Sequence, residues 1–102
     1  MKLRRHGRIP VEYSASFSGA SARGQGVIVD ISLGGCKARS AFLTQVDDYI
    51  GVVIHLSENK TPIYVMRAII RWTNEPEFGM EFLDMELNDR QRLLASMTEG
   101  RS

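Results

Sequence analysis

Apolar and polar residues alternate after Pro10, and this period constrains the fold more than any other feature of the chain. Apolar residues occupy every second position from Val11 to Phe17, with Glu12 and serines between them. Side chains of a β-strand point alternately to its two faces. The segment 11–18 is therefore predicted to be a strand with one buried face.

Five later segments are also predicted to be strands, because each is rich in apolar or β-branched residues and is bounded by turn residues. They are 26–32, a segment that starts with 36–39, then 51–56, 63–72 and 78–83. Six short strands at regular intervals favour a closed barrel or a tight sandwich, since closure removes exposed strand edges.

The segment 63–72 is predicted to need cover on both faces. Under strict alternation, one face carries five apolar or aromatic residues: Tyr64, Met66, Ala68, Ile70 and Trp72. The other face carries Ile63, Val65 and Ile69. A strand with two apolar faces is buried on both sides, so we expect a helix to lie over its outer face.

That helix is predicted at the C-terminus, where the periodicity changes. Leu87, Leu94 and Met97 recur at helical spacing. Asn88 is the predicted N-cap, and Gly100 is the predicted stop. The fold class is therefore all-β with one C-terminal helix.

Size, charge and cysteine usage limit the classes of function. The 102 residues fit a flexible basic arm at 1–10 and a single domain at 11–102. The one cysteine, Cys36, excludes an internal disulfide and fits a cytoplasmic protein. No apolar run reaches the roughly 18 residues of a membrane span, and the N-terminus lacks the apolar region of a secretory signal.

The charge balance argues against nucleic acid as a partner, because a formal net charge of +1 draws in no long polyanion. The two histidines are far apart in sequence and form no zinc pattern with a single cysteine. No pattern of nucleophile and base, and no phosphate-binding loop, is present in the sequence. We therefore expect no metal, no cofactor and no enzymatic activity.

Three arginines crowd the first eight residues: Arg4, Arg5 and Arg8. A guanidinium contacts the O6 and N7 acceptors of guanine bidentately, and a neighbouring arginine can bind a phosphate oxygen. Gly7 lets the backbone bend around such a ligand. The alternative is a solvated basic N-terminus without a ligand.

A second polar motif ends the strand 26–32. Alternation places Asp30 and Ser32 on the same side of that strand. A carboxylate can accept hydrogen bonds from guanine, and a hydroxyl can donate to phosphate or secure the loop. Gly34 and Gly35 permit positive φ and the close approach of a ligand. The alternative is a strand end with a turn stabilised by side chains.

Together these motifs resemble the PilZ domain family. The two motifs are R-x-x-x-R at Arg4 and Arg8, and D-x-S-x-x-G at Asp30, Ser32 and Gly35. Further similarity comes from segments 9–11, 30–35 and 78–82 and from the terminal helix, so that nearly the whole chain is covered. The resemblance implies a six-stranded antiparallel β-barrel, followed by a short helix, that binds the bacterial second messenger cyclic di-GMP.

The same resemblance implies the ligand contacts. Eight residues match positions that contact or frame the nucleotide: Arg4, Arg5, Arg8, Asp30, Ser32, Gly34, Gly35 and Trp72. The arginines would grip guanine and phosphate, Asp30 and Ser32 would contact the ligand from the barrel surface, and the glycines would shape the turn. Trp72 lies seven positions before Gly79, where some members pack an aromatic ring against a guanine. A core position for Trp72 is the alternative.

We therefore predict a signal-transduction receptor that reports the cyclic di-GMP level through ordering of the arm and contact with a downstream protein partner. The resemblance suggests motility, attachment or exopolysaccharide control. Two other functions remain open. One is a ligand-independent adaptor of the same fold that acts through protein contacts, and the other is a small barrel that binds single-stranded nucleic acid.

Overall fold

The computed structural model describes residues 7–99. Its elements, in chain order, are β1 (Ile9–Ser18), β2 (Arg23–Ile31), β3 (Gly35–Ser40), β4 (Tyr49–His55), β5 (Ile63–Asn74), β6 (Glu77–Met85) and α1 (Leu87–Glu99). The six strands pair antiparallel and close into a barrel in the order β1-β2-β3-β6-β5-β4. The predicted barrel with one C-terminal helix is confirmed, and closure excludes the sandwich.

The barrel interior is filled by the inward side of every strand, as alternation in β1 predicts. Phe17, Phe42 and Phe78 form an aromatic cluster in which the Phe17 ring lies 5.7 Å and 5.3 Å from the other two centroids. Isoleucines such as Ile28 and Ile54 are fully buried beside it. Each large apolar side chain removed from water contributes roughly 1.5–3 kcal/mol, so this interior is the main source of stability.

Strict alternation along β5 is wrong. The pairing of β5 with β6 shifts register on both sides of Arg67, so Met66 and Arg67 are exposed in succession. A bulge inserts an extra residue and reverses which positions face inward. As a result the core receives Ile63 and Val65 before the bulge, and Ala68 and Ile70 after it.

The helix begins earlier than predicted. The Arg90 backbone nitrogen donates to the Glu86 carbonyl at 3.0 Å, so Glu86 is the capping position and Asn88 lies inside the first turn. The Asp89 carboxylate is buried and accepts a 3.1 Å bond from the Tyr64 backbone nitrogen, which ties the helix to β5. The predicted stop at Gly100 lies outside the described residues.

The helix closes one end of the barrel instead of lying over the outer face of β5. Leu93 is fully buried within the barrel core, and the Tyr13 hydroxyl on β1 is 2.8 Å from the Ser96 hydroxyl. The Arg92 guanidinium bonds to the carbonyls of Thr61 and Pro62, just before β5. The outer face of β5 therefore remains exposed. An amphipathic stripe fits the open end of a barrel as well as the face of a strand, so the stripe alone does not specify which surface the helix covers.

Candidate functional site

A row of residues crosses four neighbouring strands on the barrel exterior. The register pairs Asp30 of β2 with Lys37 of β3, Lys37 with Gly79 of β6, and Gly79 with Trp72 of β5. Adjacent strands lie about 4.8 Å apart, so the row is about 14 Å long. We call these four residues the exterior row.

Arg8 stands at one end of the exterior row. Its guanidinium Nη1 donates a 2.6 Å hydrogen bond to Asp30 Oδ1. The register that pairs Ile9 with Ile31 carries Arg8 past the end of β2 and toward this carboxylate. The last arginine of the predicted arm and the acidic residue of the predicted turn are therefore in direct contact.

Alternating charges continue from this pair along the barrel. Lys37 Nζ lies 3.9 Å from the Asp30 carboxylate and 4.0 Å from the Glu77 carboxylate, and Arg39 donates to Glu77 at 2.8 Å. The hydrogen bond from Arg39 lowers the pKa of Glu77, and the positive charge of Lys37 lowers it further. Among the described residues, this network of three cations and two carboxylates carries one excess positive charge.

Sequence reasoning missed Lys37, Arg39 and Glu77. The alternation of β3 carried a signal, because Lys37 and Arg39 are interspersed with the buried Cys36 and Ala38. That pattern places the two cations on the outer face. Their partners depend on the register between β3 and β6, which the local sequence does not encode.

The turn from Ser32 to Gly35 lies beneath the Asp30 end of the row. Ser32 is buried, and its hydroxyl donates to the Gly35 carbonyl at 3.3 Å and accepts from the Gly34 nitrogen at 3.2 Å. Because β2 ends at Ile31, the alternation that placed Ser32 beside Asp30 on an exposed face does not extend to it. In the structure this hydroxyl secures the turn.

Steric space, and not backbone conformation, explains the glycine at position 35 of the turn. No glycine among residues 7–99 has positive φ, so the expected use of that conformation is wrong. A Cβ on Gly35 would stand 2.2 Å from the Met80 carbonyl oxygen of β6. Gly34 contributes through its backbone, since its carbonyl accepts from the Phe82 nitrogen at 2.9 Å. Close approach of β3 to β6 therefore requires glycine at position 35.

Trp72 marks the other end of the exterior row and is not a core residue. Its side chain is 39% exposed. The indole lies over Gly79, where a Cβ would come within 2.1 Å of Trp72 Nε1. The register shift between Ile70 and Trp72 interrupts the alternation that would otherwise turn this side chain inward. The indole therefore packs directly against the backbone of Gly79.

Of the predicted ligand contacts, the structure brings Arg8 and Asp30 together directly. Ser32, Gly34 and Gly35 form the adjoining turn, and Trp72 lies three strands from Asp30 along the same row. Arg4 and Arg5 lie outside the described residues. Arg71 donates to the Glu81 carboxylate on β6 at 2.9 Å and lies outside the exterior row.

Cys36 faces inward beside this surface. It is fully buried in the barrel core. Burial raises the pKa of its thiol far above the ordinary range, and the nearby Asp30 carboxylate raises it further. A thiol held in the neutral form is a poor nucleophile.

A closed barrel that displays a charged and aromatic row on its exterior is the form of a binding module. The chain belongs to the PilZ domain family, whose PilZ domain model matches residues 2–99. PilZ domains are binding and adaptor domains, so the predicted non-enzymatic role is confirmed. No curated protein matches the chain.

Two solved structures share the fold. The Bacillus subtilis inhibitor of motility MotI/DgrA superposes with a TM-score of 0.82 at 18% identity, over 99% of this chain and 52% of its own. The PilZ domain of CeSA from a cellulose synthesizing bacterium gives 0.72 at 14% identity, over 94% of this chain and 99% of its own. The present chain therefore spans about half the length of MotI/DgrA. No helix within residues 7–99 is long and apolar enough to cross a membrane.

Proposed function

We propose that this domain is a cytoplasmic receptor for cyclic di-GMP and that it binds the nucleotide along the exterior row. The observation that carries the proposal is the contact between Arg8 and Asp30 at one end of a row that ends in Trp72. Each group has a complementary partner on the ligand. The nucleotide supplies two guanines and two phosphates, which match a site made of cations, a carboxylate and an indole.

At the Asp30 end, the ligand-free ion pair presents both halves of a guanine site. Arg8 can donate to guanine O6 and N7, and Asp30 can accept from N1–H and N2–H. Arg8 is half exposed, so its existing ion pair contributes at most about 1 kcal/mol. Exchanging that ion pair for hydrogen bonds to the ligand therefore costs little.

Lys37 extends the proposed site toward the middle of the row. Its ammonium stands between two carboxylates at distances near 4 Å, so it is held in place without a short hydrogen bond. A phosphate that approaches Lys37 gains a close cation at the cost of two weak ion pairs. Arg4 and Arg5 belong to the proposal through the family motif, and they would add the charge that a doubly anionic ligand requires.

Trp72 offers a ring face at the far end of the row. Its indole is supported by Gly79 and is partly open to solvent, which is the arrangement that base stacking needs. Stacking of a base on an aromatic side chain contributes about 1–3 kcal/mol. We propose that the bound nucleotide contacts both ends of the row.

The proposed signal is the fixing of the predicted N-terminal arm over the bound nucleotide. Fixing a backbone residue costs about 1–2 kcal/mol, and charge-assisted hydrogen bonds to two phosphates can offset that cost. The covered row then forms a new surface for a protein partner. MotI/DgrA is an inhibitor of motility, and CeSA comes from a cellulose synthesizing bacterium. We therefore place the partner in motility, attachment or exopolysaccharide control.

Backbone and indole NMR signals test the location of the site. Addition of cyclic di-GMP should shift the amides of Arg8, Asp30, Lys37 and Gly79 and the Trp72 indole, while His55 on β4 serves as an unaffected reference. A single-stranded oligonucleotide should leave these signals unchanged. Equal shifts with the oligonucleotide would favour the nucleic-acid alternative. No shift with either compound would favour an adaptor that needs no ligand.

A further inference from the structure

A pair of facing bulges lies on the barrel wall, where β5 and β6 run side by side. Between the inward pairs Val65–Met85 and Ala68–Phe82, each strand carries two consecutive exposed residues. They are Met66 and Arg67 on β5, and Leu83 and Asp84 on β6. The bulges therefore expose two consecutive side chains on each strand, whereas strict alternation would place one on each face of the sheet.

The exposed residues around the bulges are large and apolar. Tyr49 is 56% exposed, Tyr64 50%, Met66 55% and Leu83 39%. At half exposure each leaves on the order of 100 Å² of surface, which gives roughly 400 Å² in one patch. This area is close to the apolar share of one side of a standard interface, about 450 Å². No element within residues 7–99 covers this patch.

The two charges within the patch are placed opposite each other on adjacent strands and are not joined. Arg67 is the register partner of Asp84. Its guanidinium nevertheless turns the other way and lies 5.3 Å from the centre of the Tyr49 ring on β4. Among residues 7–99, neither Arg67 nor Asp84 has a salt bridge, so each charge is available to an external partner.

We propose that this patch, defined by Tyr49, Tyr64, Met66, Leu83, Arg67 and Asp84, binds a second copy of the chain in a two-fold symmetric dimer. In such an interface each residue meets its counterpart reciprocally. A two-fold axis parallel to the strands and midway between β5 and β6 sets β5 of one copy over β6 of the other. Arg67 then faces the Asp84 of the second copy at both symmetry-related positions, and Met66 and Leu83 flank these charges on opposite sides along the strands.

The charge pattern favours a second copy over a different protein. An unrelated partner would need an acidic group opposite Arg67 and a basic group opposite Asp84 at the spacing of one strand pair. The same surface rotated about the axis supplies both groups at that spacing. Complementary charges also fix the register of the interface.

Charge reversal tests the symmetry directly, with self-association measured by sedimentation equilibrium from micromolar to millimolar concentration. Arg67→Asp alone and Asp84→Arg alone each place like charges in contact at both positions, and each should weaken the dimer at least tenfold. An equimolar mixture of the two variants restores opposite charges at both positions. It should form a heterodimer within about threefold of the wild-type affinity.

Arg23→Asp is the matched control, because Arg23 is exposed on β2 and stands outside the patch. It should leave self-association unchanged, and thermal melts establish that each variant remains folded. A wild-type protein that stays monomeric at millimolar concentration would overturn the proposal. A dimer that tolerates either single reversal, or a mixture that fails to recover, would also overturn it. None of these measurements involves the nucleotide.

Discussion

The Arg8 guanidinium lies 2.6 Å from the Asp30 carboxylate, although 22 positions separate the two residues. The contact follows from the pairing of β1 with β2, which brings the start of one strand beside the end of the other. Two short motifs that are each ambiguous alone thus meet at one place on the barrel. The exterior row then connects that place to Trp72 through backbone register.

Replacing Asp30 with Asn should weaken cyclic di-GMP binding at least tenfold and leave the ligand-free barrel stable. The amide has one acceptor where the carboxylate offers two, and a hydrogen bond to a charged group contributes about 1.5–3 kcal/mol. The exposed ion pair with Arg8 contributes at most about 1 kcal/mol to stability. Titration calorimetry and thermal melts measure the two effects, and Glu58→Gln on the turn before β5 is the control. Unfolding of the Asp30 variant would show that the carboxylate is structural.

Two glycine substitutions should distinguish Gly79, which lies under the Trp72 indole, from Gly35, which the barrel scaffold requires. In Gly79→Ala the new methyl meets the Trp72 indole, which can move, so the cost should be about 1–3 kcal/mol with a shifted tryptophan emission. In Gly35→Ala the methyl meets the Met80 carbonyl of a neighbouring strand, which cannot move alone. We expect the greater loss of unfolding free energy at position 35. Equal losses of unfolding free energy in denaturant titrations would show that the Trp72 indole cannot move away from the new methyl. That result would contradict the placement of Gly79 and Trp72 on an open ligand surface.

The Cys36 thiol should be unreactive in the folded protein. Burial raises its pKa, so the thiolate that reacts with disulfide reagents is scarce at neutral and mildly alkaline pH. Because the folded pKa exceeds the unfolded one, the barrel should lose stability as the pH rises beyond the ordinary thiol range. A chromogenic disulfide should label Cys36 at the rate of unfolding, and rapid labelling of the native protein would contradict this account.

Glu77 should become protonated at a lower pH than an ordinary glutamate. The hydrogen bond from Arg39 is the main cause of its lowered pKa, and Lys37 acts through charge alone. The pKa of Glu77 is lower in the folded protein than in the unfolded chain. The ion pair of Glu77 with Arg39 therefore stabilises the fold above the unfolded-state pKa, and this stabilisation is lost as the pH falls through the folded-state pKa. Arg39→Ala should therefore raise the Glu77 pKa more than Lys37→Ala in an NMR titration. The reverse order would contradict the described network.

The sequence was sufficient for the fold because burial of one face imposes its period on each strand. Alternation from Val11 to Phe17 and the turn residues between the later strands predicted six strands, and the need to close edges left a barrel or a sandwich. The resemblance to the PilZ domain family then favoured the barrel. Alternation failed where a strand bulges, as at Met66 and Arg67. A bulge is set by the pairing of two strands, so a single strand's pattern does not predict it.

The candidate site was predictable in its motifs and not in its geometry. Arg8, Asp30 and the glycine turn were found from local sequence, whereas Lys37 and Glu77 are linked only by the register of β3 and β6. The helix also illustrates this limit, because the spacing of Leu94 and Met97 gives an apolar stripe and does not specify the surface that receives it. Trp72 could be read as core or surface until the shift after Ile70 was known.

Calorimetric titration of the wild-type domain and of Arg8→Ala with cyclic di-GMP tests whether the nucleotide binds at the Arg8 end of the exterior row. The wild-type protein should bind at micromolar concentration or tighter. Arg8→Ala should lose at least tenfold in affinity, because it removes a charged hydrogen-bond donor from the proposed guanine site. Arg23→Ala should bind as the wild type does. Absence of wild-type binding at micromolar concentration, or full affinity in the Arg8 variant, would show that Arg8 does not form part of a cyclic di-GMP site.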